Sequence, residues 1–219
     1  MNRILPVKRS KAQARRFYDR ISRVYDALTA SEVGLIQRGV DLLALQPGET
    51  LLEIGPGTGR ALRRFAETTP KAECLVGLDL SHQMLLRSNA KEITPAPLLI
   101  QGDGACLPLP ANRFNALYTA FTLELFSVQD MHQVLAECRR VLKPGGRLGV
   151  VALANAPRTL ALRLYEAAHR LFPVAIDCRP IPLPDLLQEN GFTLITAEEE
   201  VNWGLPIHLT VSTTGAPQH

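Results

Sequence analysis

The chain has 219 residues, 46% of them hydrophobic and 21% charged, enough for one substantial core but a tight fit for two independent domains. No apolar run reaches the roughly eighteen residues that a membrane-spanning helix requires, and Cys74, Cys106, Cys138 and Cys178 lie far apart with no Cys-x-x-Cys pair. With no apolar stretch before a small-residue cleavage site near Met1, these features predict a soluble protein of the reducing cytoplasm, and His and Cys spacing suggests no metal site.

The net charge of +3 conceals an asymmetry. Residues 1–23 carry eight Lys or Arg (Arg3, Lys8, Arg9, Lys11, Arg15, Arg16, Arg20, Arg23) against one acid, Asp19, so the remainder is net acidic. Phe17, Ile21 and Val24, spaced four and three apart, allow an amphipathic helix in this arm. Such a helix caps the domain with its charges in water, or makes peripheral contact with an anionic membrane, or holds nucleic acid. The arm lacks the interleaved aromatic pairs of a base-stacking surface, so no nucleic-acid partner is expected.

The first part of the chain, 1–48, reads as a basic helical lid that ends at Pro47-Gly48. Thereafter short apolar runs alternate with helical stretches, the pattern of βαβ units. Strands are predicted at Thr50–Ile54, Cys74–Leu78, Leu98–Gln101, Asn115–Ala120 and Arg147–Leu153. The intervening helices are predicted at Thr58–Glu67, His82–Lys91 and Gln129–Leu142, the last stopped by Lys143-Pro144-Gly145-Gly146. A further helix is predicted over Thr159–Leu171, within a substrate-side insertion at about 154–184. Pro180, Pro182 and Pro184 remove ladder donors and exclude a central strand there. A short helix at Asp185–Asn190 and strands at Thr193–Val201 and Ile207–Ser212 complete the outline, five parallel strands and a terminal hairpin within 49–219.

Chemistry concentrates at the turn Leu52-Glu53-Ile54-Gly55-Pro56-Gly57-Thr58-Gly59-Arg60, placed between a buried strand and a helix. Glycine there permits positive φ and close approach of a ligand, and the next helix offers unpaired N–H groups to an anion. The dinucleotide fingerprint needs glycine at its sixth position, which is Arg60 here, so the pyrophosphate-binding form and a nicotinamide-dependent oxidoreductase are disfavoured. Glu53, two residues before the first glycine, suits a cation such as the ammonium of S-adenosylmethionine (SAM), while the turn amides suit its carboxylate. Asp79 can accept ribose hydroxyls and Asp103 the adenine amino group, although each acid alone could be a helix N-cap. Acids at three successive strand ends mark the edge where open α/β sheets bind ligands.

These residues resemble class I SAM-dependent methyltransferases, and within them the ubiquinone/menaquinone-biosynthesis C-methyltransferase group. The likeness covers roughly residues 17–153 and rests on Phe17-Tyr18-Asp19-Arg20, Tyr25-Asp26, the glycine turn, Gly77-Leu78-Asp79-Leu80-Ser81 with Met84-Leu85, Gly102-Asp103-Gly104 and Arg140-Val141-Leu142-Lys143-Pro144-Gly145-Gly146-Arg147. It implies a Rossmann-like α/β fold with a mainly parallel seven-stranded sheet, a C-terminal antiparallel hairpin and SAM as cofactor. It further implies that Glu53, Gly55, Gly57 and Thr58 contact the methionine part, Asp79 and Leu80 the ribose, and Met84 one adenine face. Asp103 and Gly104 would meet the adenine edge, with Ala120 and Phe121 as the floor beneath the sulfonium. Where the quinone enzymes continue strand four with a Phe-Gly-Leu-Arg-Asn-like stretch, this chain has Phe121-Thr122-Leu123-Glu124-Leu125-Phe126, which leaves the acceptor open.

SAM carries an activated methyl, so the protein mainly has to align a nucleophile and exclude water. A phenolic ring acceptor would call for a general base; His169, His132, His82 and His208 are the candidates, and His169 is taken as the catalytic one because it adjoins the variable C-terminal section. Tyr18 and Tyr25 can position ligands from the lid, Tyr25 either over the cofactor or as a core aromatic. Arg15, Arg16 and Arg20 would meet an anionic acceptor or headgroup, or simply water. The expected partner is a small-molecule methyl acceptor, a quinone precursor or similar lipophilic ring, with phospholipid amines and natural-product phenols as alternatives and a non-catalytic RNA-binding module as a rival reading.

Overall fold

The structure, a computed structural model, describes residues 4, 6, 7, 9–155 and 178–215. Helices α1 (Lys11–Ile21), α2 (Tyr25–Leu28) and α3 (Val33–Leu43) precede strand β1 (Thr50–Ile54). Then follow α4 (Arg60–Thr68), β2 (Cys74–Asp79), α5 (His82–Asn89), β3 (Leu98–Gln101), β4 (Phe114–Ala120), α6 (Val128–Val141) and β5 (Leu142–Leu153). Helix α7 (Leu183–Glu189) and strands β6 (Thr193–Asn202) and β7 (Leu205–Thr213) close the described chain. The helix expected at Thr159–Leu171, and with it His169, lies outside the described residues.

One seven-stranded sheet has the order β3-β2-β1-β4-β5-β7-β6. The first five strands are parallel and β7 runs antiparallel to both β5 and β6. Five parallel strands and a terminal hairpin are what the sequence pattern predicts, and the seven-stranded, mainly parallel sheet is what the resemblance implies. The order reverses between β1 and β4, and the open crevice at such a switch point lies beyond the strand C-termini. Among the described residues no helix is long and apolar enough to cross a membrane.

Period-2 alternation explains why both sheet faces are covered. Leu52, Leu117, Leu148 and Val150 face one core with α6 and α7, through Met131, Leu135 and Leu187. Leu51, Ala116, Tyr118 and Val151 face the other, with α3 and α4 supplying Val40, Leu43, Leu62 and Phe65. Phe65 meets Tyr118 edge to face at 5.4 Å between ring centres, and the Tyr118 hydroxyl donates to the Ile36 carbonyl at 3.0 Å, so the ring is both buried and satisfied.

Most element ends fall within about two residues of the sequence expectation, and two starts have a clear physical reason for their shift. Helix α4 starts at Arg60, not Thr58, because Gly59 takes φ +81° and its amide closes the turn onto Pro56. Strand β5 starts at Leu142, before the Pro-Gly-Gly stretch instead of after it. Leu142 already pairs with Phe114, the register then shifts, and pairing resumes between Ala116 and Arg147. Pro144 and Gly145, the latter at φ +73°, sit in this irregular stretch, where no ladder donor is demanded. Pro180–Pro184 forms no strand: Ile181 makes an isolated bridge to Ala154, and Pro184 occupies the first turn of α7.

Gly39 shows how tightly α3 sits on the sheet. A β-carbon there would lie 2.5 Å from both the Tyr118 hydroxyl and Val151 Cγ2, whereas one at Gly34 in the same helix would meet nothing within 4 Å. Replacing Gly34 by alanine is expected to raise stability by up to about 1 kcal/mol through helix propensity. Gly39→Ala is expected to lower it by about 1–3 kcal/mol through overpacking, despite the same gain. Thermal denaturation of the two variants beside the parent checks both signs.

Candidate functional site

The turn after β1 is bent by three left-handed glycines, Gly55 at φ +72°, Gly57 at +54° and Gly59 at +81°. At Gly55 a β-carbon would collide with Thr122, so glycine is required for both conformation and space. The turn is tied to its neighbour by Asp79 at the end of β2. One carboxylate oxygen accepts the Gly57 amide at 2.9 Å and the other the Ser81 amide at 2.8 Å. Asp79 is not the N-cap of α5; that position belongs to Ser81, whose hydroxyl accepts the Met84 amide. Burial pushes Asp79 up to about 6, against the pull of its two amide donors.

Glu53, one strand over, is buried, and its Oε2 has no hydrogen-bond partner. Burial, then the neighbouring charge of Asp79, pushes its carboxyl up to about 8, opposed by the Leu62 amide. A buried carboxyl with an orphaned oxygen is neutral at pH 7 until a cation or donor approaches.

Beyond β3, Asp103 accepts the Ala105 amide at 2.9 Å and the Lys11 ammonium at 2.7 Å. Lys11 also bridges to Asp130 at 2.8 Å, so the start of α1 is pinned across the crevice to the loop after β3 and to α6. Helix α1 is in place to do this because Ser10 and Gln13 form a reciprocal cap at its N-terminus. Further along, Asp19 accepts from the Ser81 hydroxyl at 2.6 Å.

A cavity of about 260 Å³ opens along these strand ends. Of the residues singled out in the sequence, Tyr25, Gly55, Gly57 and Asp79 line it, as do Leu80, Met84, Asp103, Gly104 and Phe121. Glu53, Thr58 and Ala120 do not. Thr58 is buried and turned away: its hydroxyl donates to Asp26 and accepts from Lys91 at 3.0 Å. Asp26 gathers Lys91 at 2.8 Å and Arg60 at 3.2 Å; although burial works against the charge, these cations and the Thr58 hydroxyl hold the carboxyl below its usual range.

Among the histidines, His82 opens α5 in solvent, and His132 lies within α6, not at its start, 3.0 Å from Asn190 Oδ1. His208 stands in β7 at 3.7 Å from Glu199, with burial pulling its pKa down. None of the three lines the cavity, nor do Arg15, Arg16 or Arg20.

Local sequence patterns missed several lining residues. Lys11 and Ala14 reach in from α1, beside the anticipated Tyr18, and Leu125, Phe126 and Asp130 from the segment after β4. Arg179 is buried at the wall, where it donates to the carbonyls of Glu124, at 2.9 Å, and Phe126. Burial lowers its pKa to about 10. Tyr18 and Tyr25 meet edge to face at 6.2 Å.

Comparison with known proteins supplies the family. The methyltransferase domain family matches residues 51–146, from β1 into β5. A ubiquinone/menaquinone biosynthesis C-methyltransferase of Syntrophotalea carbinolica is 33% identical over 209 residues, covering 81% of this chain and 85% of that protein. A second, of Cereibacter sphaeroides, is 30% identical over 158 residues and covers 68% of this chain; the match spans 62% of that relative's length. The structure of magnesium protoporphyrin IX methyltransferase from Synechocystis, solved with bound SAH, superposes with a TM-score of 0.74 at 17% identity, covering 94% of this chain and all of that one, and so shares the fold. A relative aligned along most of both chains, on a sheet whose strand tips carry the glycine turn and Asp79, shows that the chain belongs to the class I SAM-dependent methyltransferase family that includes the quinone-biosynthesis C-methyltransferases.

Proposed function

We propose that this chain transfers a methyl group from SAM to a small lipophilic or aromatic acceptor of the quinone-precursor type. The observation that carries the cofactor half is Asp79: a carboxylate on the β2 tip, in the same cavity as the glycine turn, Met84 and Asp103. Asp79 would accept the ribose hydroxyls, Met84 would cover the adenine, and Asp103, whose two oxygens each keep a second lone pair beside the Ala105 amide and Lys11, would take the amino group. The orphaned Oε2 of Glu53 fits a cationic ligand nearby.

When bound, SAM supplies an electrophilic methyl on a positive sulfur. The chain's own residues orient and shield. Phe121, at φ +51° on the cavity floor, is held by its amide on the Val151 carbonyl, and Leu125 and Phe126 extend an apolar wall that suits a hydrophobic ring. The names of the quinone-biosynthesis relatives support that ring as a quinone precursor. In this reading 1–48 forms the lid and 49–219 the catalytic domain with its insertion at about 154–184. Tyr18 and Tyr25, already at the cavity, are candidates to meet a ring hydroxyl; His169 stays a candidate base outside the described residues. Membership of the methyltransferase family and Arg60 at the sixth turn position leave the nicotinamide reading without support.

Incubation with methyl-labelled SAM and demethylmenaquinol or a related quinol, with products identified by mass, is expected to place label on the ring. Label confined to protein or nucleic acid would overturn the small-molecule reading. Asp79→Asn is expected to weaken SAM binding by about tenfold to a hundredfold, the loss of charge-assisted hydrogen bonds, read by calorimetry. In the parent, protonation of Asp79 competes with the ribose hydroxyls, so SAM affinity should fall about tenfold per unit as pH drops below about 6.

Ligand-free stability has the opposite slope. Glu53 binds its proton more tightly in the folded chain, at about 8 against 4.5 unperturbed, so its stabilising contribution is complete below about pH 4.5 and is lost as pH rises through about 8. Glu32, raised to about 7 by burial, adds to the same trend. Melting temperature is therefore expected to decline between pH 5 and 8, and Glu53→Gln to flatten that decline.

A further inference from the structure

The N-terminal helices carry a second surface that the cavity does not use. Helix α1 turns Lys11, Ala14 and Tyr18 onto the cavity, while Arg15, Arg16, Arg20 and, just past its end, Arg23 are exposed. None of these four arginines forms an ion pair among the described residues. The acids beside them are engaged inward: Asp19 with the Ser81 hydroxyl and the Gln83 amide, Asp26 with Lys91 and Arg60. The strip is therefore uncompensated positive charge, which favours an anionic partner.

Next to it the surface is apolar. Val24 is 53% exposed and Leu28 66%, in and just before α2. Asn202 donates to the Ser31 hydroxyl at 3.4 Å, which brings the β6–β7 turn to the same rim, and Trp203 in that turn is 83% exposed. Large apolar groups from segments far apart in the chain thus stand in water on the side of α2, which follows the arginine strip directly in the chain.

We infer that this face docks on an anionic lipid bilayer, the arginines among the headgroups and Val24, Leu28 and Trp203 at the acyl boundary. Mixed basic and apolar exposure is what an interfacial helix needs, and tryptophan suits that boundary by having an apolar ring and a polar N–H. A single-stranded nucleic acid would need a row of exposed aromatic platforms, but among the described aromatics only Trp203 is exposed, and Phe17, Tyr18 and Tyr25 are half-buried and engaged edge to face with one another. Because the inner face of α1 lines the cavity, docking places its mouth beside the membrane. The docking surface stands on its own geometry; delivery of a lipophilic acceptor through it rests on the functional reading above.

Trp203 is the sole tryptophan of the sequence and reports on the contact directly. The 219-residue chain is mixed with phosphatidylcholine vesicles with and without about one-third phosphatidylglycerol, in about 0.1 M salt, where surface charges still act over roughly 10 Å. Co-sedimentation with the anionic vesicles and a blue shift of Trp203 emission are expected, both weakened by added salt. At about fivefold per basic residue, the triple variant R16Q/R20Q/R23Q should partition roughly 100-fold less. Leu28→Asp should weaken binding without changing SAM affinity. No binding to anionic vesicles, binding unchanged in the triple variant, or an unshifted Trp203 with tight, salt-sensitive binding to single-stranded RNA instead would each overturn the proposal. SAM calorimetry on the same sample separates the two readings: SAM binding without vesicle binding removes only the docking surface, and the reverse removes only the cofactor assignment.

Discussion

The site depends on one carboxylate held by two amides. Asp79 joins the bend after β1 to the bend after β2 through Gly57 and Ser81, and so sets the distance between the two strand tips. A backbone amide left unpaired in a half-buried crevice is costly, and a carboxylate left unpaired there costs more. Each satisfies the other here, and the result is a crevice edge that is shaped before any ligand arrives. The left-handed glycines are the geometric condition for this: an L side chain at Gly55 would both strain the backbone and strike Thr122.

Around that link the electrostatics are arranged in layers. Glu53 lies deeper and is kept neutral by burial and by Asp79, while Asp103 lies farther out and is neutralised by Lys11. Burial drives this separation first, and for Glu53 the neighbouring charge of Asp79 adds to it: a carboxyl that is out of water beside a like charge keeps its proton until a cation arrives. The sheet edge thus presents one proton-loaded acid, one amide-bound acid and one ion-paired acid, a graded set that three aligned acids in a sequence do not reveal.

The sheet was legible because its signals are local. Period-2 apolar runs bounded by glycine and proline predicted β1, β3 and the core of β2, and the proline-spaced segment before α7 was correctly denied a strand. The start of β5 was misplaced because Lys143–Gly146 reads as a breaker, whereas tertiary pairing to Phe114 draws Leu142 into the ladder first. At the site, the glycine turn and Asp79 were visible from spacing alone. Thr58, named from the resemblance as a methionine contact, does not line the cavity, since its hydroxyl is claimed by Asp26, 32 residues upstream. Lys11 meets Asp103 across 92 residues and Arg179 caps the Glu124 carbonyl across 55, pairings that no window along the chain can anticipate.

The hub at Asp26 has a mechanical consequence. It ties α2 to the glycine turn through Thr58, to α4 through Arg60 and to the end of α5 through Lys91, so α2 travels with the sheet. Helix α1 is fastened more lightly, by the half-exposed Lys11 bridges and by Asp19 on Ser81, with no buried side chain of its own. The crevice wall is thus held unevenly: ahead of Ser22 it rests on four polar contacts made by Lys11 and Asp19, whereas Tyr25 lines the cavity beside the many-armed knot at Asp26.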